Sequence, residues 1–395
     1  MYISRALEEP LKEALDQFPV VVLTGARQVG KSTLLTRVLE KSHLYVTLDD
    51  PLLRRLARED PSLFLRRHPA PCIVDEIQYA PELLPYIKML VDAERRKTGQ
   101  YVLTGSQVFP LMQGVSETLA GRAAIFHLYP LSWNEITSLS KHKGDPLDPN
   151  IMALDLLRGF YPEFWVNAKL STNTWYGSYL STYVERDVRS IMTITDLGRF
   201  QTFISLLAVR AGQLLNLSEI AKECGITQPT AKSWLSVLET TYIVHLLKPY
   251  SHNITKRLVK SPKLYFVDTG LLCYLLGIDT VERFFKASER GHVFENMIVM
   301  DAIKRISQQN TRSSCYFYRT ANGVEIDLLV ESRQKLKAFE IKLSQTPTPS
   351  MTKHLAQLKV EIPLQETTLL SLREKPLPLI EGIDSLHWSE GLKNI

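Results

Sequence analysis

Cysteine is scarce. The chain has four, Cys72, Cys224, Cys273 and Cys315, far apart and without a Cys-x-x-Cys pair. That spacing excludes the signature of a zinc ligand set or a disulfide framework, and it is expected in a reducing compartment. Long apolar runs are also missing: none approaches the ~18 residues that a membrane span needs. The opening Met1-Tyr2-Ile3-Ser4-Arg5 lacks the apolar stretch of a secretory signal. A cytoplasmic location with no membrane partner is the expectation. Charge of one sign is modest, +5 net with a pI near 8.8, which permits nucleic-acid contact without requiring it. No Asn-Lys-x-Asp motif selects a nucleotide base. What remains is 395 residues at 45% hydrophobic content, enough for two or three domains with ordinary cores.

The most informative stretch is Val20-Val21-Val22-Leu23-Thr24-Gly25-Ala26-Arg27-Gln28-Val29-Gly30-Lys31-Ser32-Thr33. A β-branched run, Gly-x-x-x-x-Gly-Lys-Ser and a helix-forming tail (Leu34, Leu35, Val38, Leu39) predict strand, phosphate loop and helix. The glycines bring successive N–H groups onto phosphate oxygens, and the helix start adds its positive dipole end. Residues 25–33 are thus the expected nucleotide cradle, with Lys31 on the β- and γ-phosphates and Ser32 on Mg²⁺.

Residues 3–17 have helical spacing, Leu44–Leu48 alternates as a strand, and Leu52–Arg67 reads as one helical segment. Pro71-Cys72-Ile73-Val74-Asp75-Glu76 then runs small and apolar residues into two acids, as a central parallel strand does when its C-terminal end carries chemistry. Asp75 is expected in the metal shell, and Glu76 as the group that polarises attacking water. The strand Gln100–Thr104 ends in Gly105-Ser106-Gln107, where Ser106, ahead of Thr104, is the candidate γ-phosphate sensor. Arg122, before the strand Ala123–Leu128, is either an arginine finger for a neighbouring subunit or a surface salt bridge. The first domain is expected over 1–140, with 141–150 as linker or exposed loop.

These motifs closely resemble a family of bacterial and archaeal AAA-type ATPases that carry a conserved C-terminal region of unknown function. The resemblance rests on Gly25-Ala-Arg-Gln-Val-Gly-Lys-Ser32, Asp75-Glu-Ile-Gln78, Leu103-Thr-Gly-Ser106 and Leu119-Ala-Gly-Arg122. It continues through Gly159-Phe-Tyr-Pro162, Tyr183-Val-Glu-Arg-Asp-Val-Arg189, Asn216-Leu-Ser-Glu-Ile-Ala221 and Asp268-Thr-Gly-Leu271. It implies an ASCE-type α/β fold, and ATP rather than another nucleotide.

A helical and winged-helix segment is expected over 151–270. The cluster Glu185-Arg186-Asp187-Arg189 cannot share one helix face, so part of it would point toward another domain; a solvated face is the default, with a trans contact to nucleotide or an interdomain hinge as the alternatives. Residues 217–235 have helix–turn–helix character: Ser218 as cap, Gly225 at the turn, Thr227 and Pro229 opening the second helix. Gln228, Thr230, Lys232 and Ser233 would face outward, suited to phosphate and base edges. Two β-like runs, 242–247 and 263–267, flank Lys248, His252, Lys256, Arg257 and Lys260, with no acidic residue between Glu239 and Asp268. This pattern serves DNA or a protein partner.

The last domain, 271–395, offers a helix bearing Glu295, then strand-like 315–318, 324–330 and 337–343. Asp327, Glu340 and Lys342 follow an order that looks like a PD-(D/E)xK nuclease core, with Ile326 where proline is usual. Asp327 and Glu340 would hold Mg²⁺, and Lys342 would orient water. The plainer alternative is exposed strand charges and an ordinary ion pair. The Pro-rich region from Thr346 onward, with a strand candidate at 367–371, is expected only to finish the last sheet.

Overall fold

The computed structural model describes residues 2–105, 118–139, 147–184, 196–250, 261–309, 311–320 and 322–394, together with Val115 and Asp145. Contacts divide the chain into two compact units. The first is Met1–Leu131 with Thr240–Tyr242 and Ser307–Gln309, and the second comprises the rest.

In the first unit, α1 (Glu8–Leu15) buries Leu11, Ala14 and Leu15. It starts later than its periodicity suggests because Arg5 turns inward instead, donating to Val29 O at 2.8 Å and Tyr129 O at 2.7 Å. β1 (Val20–Gly25) is buried at every position, as a β-branched strand covered on both faces must be. α2 (Lys31–Leu39) follows the loop, and β2 (Leu44–Thr47) follows α2. The helix expected over 52–67 is two, α3 (Pro51–Glu59) and α4 (Pro61–Arg67). Pro61 has no N–H to continue the first, and Asp60 caps the second by accepting from Leu63 N at 2.8 Å. β3 (Cys72–Asp75), α5 (Leu83–Ala93), β4 (Tyr101–Gly105) and β5 (Ala123–Leu128) complete the unit.

The five strands pair in parallel in the order β2-β3-β4-β1-β5. β4 therefore lies between the phosphate-loop strand and the acid-bearing strand. The carboxyl ends Gly25, Gly105 and Asp75 share one edge, where open α/β sheets bind ligands.

The second unit begins with Ser132 and Glu135 in a capping box at the start of α6 (Trp133–Thr137). Helices α7 (Pro149–Arg158), α8 (Pro162–Val166), α9 (Thr172–Tyr179) and α10 (Leu197–Val209) follow. The charged cluster 185–189 lies outside the described residues.

α11 (Leu217–Glu223) and α12 (Gln228–Thr240) are separated by a turn in which Gly225 has φ +64°. The cap of α11 is Asn216, accepting from Glu219 N at 3.3 Å, rather than Ser218, which donates to Asn216 Oδ1. Ala231, Trp234, Leu235 and Leu238 form the buried side of α12. β6 (Val244–Leu247) and β7 (Lys263–Phe266) then pair antiparallel.

α13 (Thr269–Leu275) is capped by Asp268, which also accepts from Phe160 N at 2.6 Å and Tyr176 Oη at 2.7 Å. After α14 (Arg290–Gln309) come β8 (Ser313–Arg319), β9 (Glu325–Ser332), β10 (Lys335–Ile341), α15 (Lys353–Glu361), β11 (Glu366–Ser371), β12 (Leu377–Ile380) and β13 (Ile383–His387). They form a mixed six-stranded sheet, β12-β13-β11-β10-β9-β8. The region after Thr346 thus supplies half the strands, including β11 beside β10, and Leu355 and Leu358 of α15 pack on Ile326, Leu329 and Ala338.

Candidate functional site

The loop between β1 and α2 is shaped by three backbone choices. Gly25 stands so close to β5 that a Cβ there would meet Leu128 O at 2.1 Å. Gln28 (φ 65°) and Gly30 (φ 90°) are left-handed, which turns successive N–H groups toward a common concavity suited to an anion. Gly30 caps α2. Lys31 is 6% exposed and its Nζ donates to Gly25 O at 3.0 Å and Ala26 O at 2.8 Å, so the ammonium lies within the loop. Ala26 and Val29 are buried, Arg27 is half-buried, and Gln28 and Thr33 are exposed. Arg5 anchors the loop through Val29 O.

Across the sheet edge, Ser32 Oγ donates to Asp75 Oδ2 at 2.8 Å. The sheet order thus brings the loop's hydroxyl to the acid 43 residues away. An oxygen-seeking divalent cation fits this hydroxyl–carboxylate pair. Tyr45, on β2, donates to the same Asp75 oxygen. Burial first, and then the Asp75 carboxylate, push the Tyr45 phenol above its ordinary pKa. Glu76 adopts φ 57°, ψ 42°, a left-handed conformation rare outside glycine. Its Oε2 accepts from Gln78 Nε2.

Thr104 is fully buried at the end of β4, and among the described residues its hydroxyl has no hydrogen-bond partner. Ser106 lies outside the described residues. Arg122 is half-buried and gripped by Asp92, with Nε–Oδ1 at 2.6 Å and Nη2–Oδ2 at 2.8 Å. Within this chain its contacts are those of a salt bridge. Thr24, directly before Gly25, is bonded to His127 Nδ1 at 2.7 Å and Tyr242 Oη at 3.0 Å.

Arg5, Tyr45, Gln78, His127 and Tyr242 were not legible as site residues. The one local signal was the Asp75-Glu-Ile-Gln78 string. The others depend on strand order.

In the second unit, Gln228, Lys232 and Lys248 are exposed, and Thr230 and Ser233 half-buried. Lys256, Arg257 and Lys260 lie outside the described residues. Asp327 on β9 and Glu340 on β10 are brought together by antiparallel pairing that runs to Leu328–Phe339. Lys342 Nζ is 2.6 Å from Glu340 Oε1 and 3.6 Å from Asp327 Oδ2. Asp327 Oδ2 also accepts from Ile341 N at 2.9 Å.

A lysine also sits among these acids. Lys263, 2% exposed, places Nζ 2.6 Å from Glu325, 3.1 Å from Glu295 and 3.7 Å from Asp327. Among the described residues no group of three or more His, Cys, Asp or Glu is arranged to hold a metal ion. Burial and the Asp327 charge raise the carboxyls of Glu295 and Glu340 above the usual range, and among the described residues Glu340 Oε2 is buried without a partner. A neutral acid is the less costly state for such an oxygen.

Comparison with known proteins divides the chain in three. Residues 17–137 match a family described as an AAA domain, 153–282 a domain of unknown function (DUF8612) and 290–390 a domain of unknown function (DUF4143). The uncharacterized proteins Rv2008c of Mycobacterium tuberculosis and Mb2031c of Mycobacterium bovis are each 32% identical over 381 residues, covering 94% of this chain and 81% of theirs. The Walker-type ATPase PABY2304 of Pyrococcus abyssi aligns at 17% identity and TM-score 0.48, covering 70% of this chain and 96% of that one. A Thermotoga maritima RuvB Holliday junction branch migration motor aligns at 14% identity and TM-score 0.32, covering 64% and 94%. No described helix is long and apolar enough to cross a membrane.

Proposed function

We infer the function from one premise: the chain belongs to the family of its two mycobacterial relatives, and its first unit is an AAA-domain P-loop ATPase. On it we propose that the protein binds ATP with Mg²⁺, hydrolyses it, and uses the nucleotide state to control its C-terminal region, acting on DNA. The observation that carries the ATPase reading is the Ser32–Asp75 hydrogen bond of 2.8 Å beside the buried Lys31 ammonium.

Lys31 exchanges the carbonyls of Gly25 and Ala26 for the β- and γ-phosphates, while main-chain N–H groups of residues 26–33 hold the remaining oxygens. Ser32 and Asp75 would hold Mg²⁺, whose charge would offset the charge developing on the transferred phosphoryl group. Glu76 takes the proton of the attacking water, so its carboxylate must leave the Gln78 amide. Ser106 reads the γ-phosphate. To serve a neighbouring subunit, Arg122 has to leave Asp92.

The DNA reading is supported by the outward Gln228 and Lys232 of α12 and by exposed Lys248 in an acid-free stretch. The nuclease-like reading is supported by the proximity of Asp327, Glu340 and Lys342. The Lys263 ammonium among the acids favours a second reading, a non-nucleolytic switch that docks a protein partner through α11, α12 and the hairpin. Incubating the protein with Mg²⁺ and mixed DNA substrates separates the two. Cleavage lost in Asp327→Ala and Lys342→Ala supports the nuclease, and the absence of cleavage in the wild type supports the switch.

A further inference from the structure

Lys263 opens β7, a strand whose four positions are all buried, so a lysine there needs an explanation. Its backbone is held on two sides, by Leu247 across the hairpin and by a bridge to Leu214. Strand alternation puts Lys263 and Tyr265 on one face, and both reach Glu295 of α14: Nζ at 3.1 Å and Oη at 2.7 Å from the same oxygen. The turn at Gly212 closes over the pair, since a Cβ there would lie 3.1 Å from His292 Nδ1 and 3.7 Å from the Glu295 carboxyl.

Three carboxylates from two elements therefore converge on one ammonium that the chain cannot release by diffusion. Burying that ammonium is unfavourable alone and is offset only because the acids surround it, while the acids without it would repel one another. Lys342 differs, being 38% exposed.

We propose that Lys263 is the resident cation of the carboxylate cluster. It joins the β6–β7 hairpin to α14 and β9 as a closed ionic latch, and it keeps divalent metal out of Asp327 and Glu340. A metal enters only when the ammonium is removed. The inference is independent of the phosphate loop, so a chain that never hydrolysed ATP would leave it standing.

The test is Mn²⁺ uptake by the full chain, followed by electron paramagnetic resonance without nucleotide, in an Asp75→Asn background that removes the metal shell of the ATPase. With Lys263 intact the chain should bind no Mn²⁺ at millimolar concentration. Lys263→Met, or the charge-balanced Lys263→Met/Glu325→Gln should the single variant fail to fold, should bind one per chain, and adding Asp327→Asn should abolish that uptake. Asp327-dependent Mn²⁺ binding with Lys263 in place would overturn the proposal. So would a folded Lys263→Met chain, single or balanced, that gains no metal.

Discussion

Glu76 sits one residue beyond Asp75 in a strained backbone conformation, its carboxylate occupied by Gln78. A residue held this way contributes little to ground-state binding and most when a proton must move. Glu76→Gln should therefore keep nucleotide affinity within a few-fold of wild type while turnover falls by roughly 10²–10⁴, read from steady-state hydrolysis beside equilibrium binding of a fluorescent ATP analogue. Unchanged turnover would remove Glu76 as the base. His245, on β6, is held down to about 4 by burial and by the neighbouring Lys248. In the unfolded chain it regains an ordinary pKa near ~6.5, so the unfolded state binds more protons between those values. Stability contributed by the neutral ring is present above that window and lost as pH falls through it. On acidification from neutral pH to about 4, the wild type should lose up to about 3 kcal/mol more than His245→Gln, measured as urea midpoints at each pH.

Among the elements, α13 and its surroundings depend on one carboxylate. Asp268 is 1% exposed and accepts from Leu271 N, Phe160 N and Tyr176 Oη, so it caps a helix and ties it to α9 and to the connection between α7 and α8. Asp268→Ala strands three buried donors, each costing about 1–3 kcal/mol. The urea midpoint of the second unit should fall accordingly, whereas a shift within the range of a surface substitution would contradict this role. The same logic explains which elements were legible in the sequence. β1, the loop and α2 were, because Gly25, Gly30 and Lys31 specify backbone geometry locally. The break at Asp60-Pro61 was written in the residues too, but the leucine periodicity of 52–67 masked it. α15 was missed because its turns follow a Pro-rich stretch and only Leu355 and Leu358 commit it to the core. Tyr45 and Lys263 could not be read at all, since each meets its acids only after strands far apart in sequence become neighbours.

For the whole molecule, the proposal joins a phosphate loop in one unit to exposed basic residues in the other. If α12 and the hairpin contact DNA backbone, affinity should fall with salt along a log–log slope of about −0.9 per neutralised phosphate. Lys232→Ala or Lys248→Ala should each flatten that slope by about one contact, measured by fluorescence anisotropy with duplex DNA. Salt-independent binding, or equal slopes for all three proteins, would assign this surface to a protein partner instead. All of this presupposes a nucleotide to obey. The most direct measurement is calorimetric titration of Mg²⁺–ATP into the wild-type chain and Lys31→Ala. The account predicts saturable binding by the wild type and loss of binding in the variant with its fold intact. A wild type that takes up no Mg²⁺–ATP, or a Lys31→Ala chain that binds it equally well, would contradict the account.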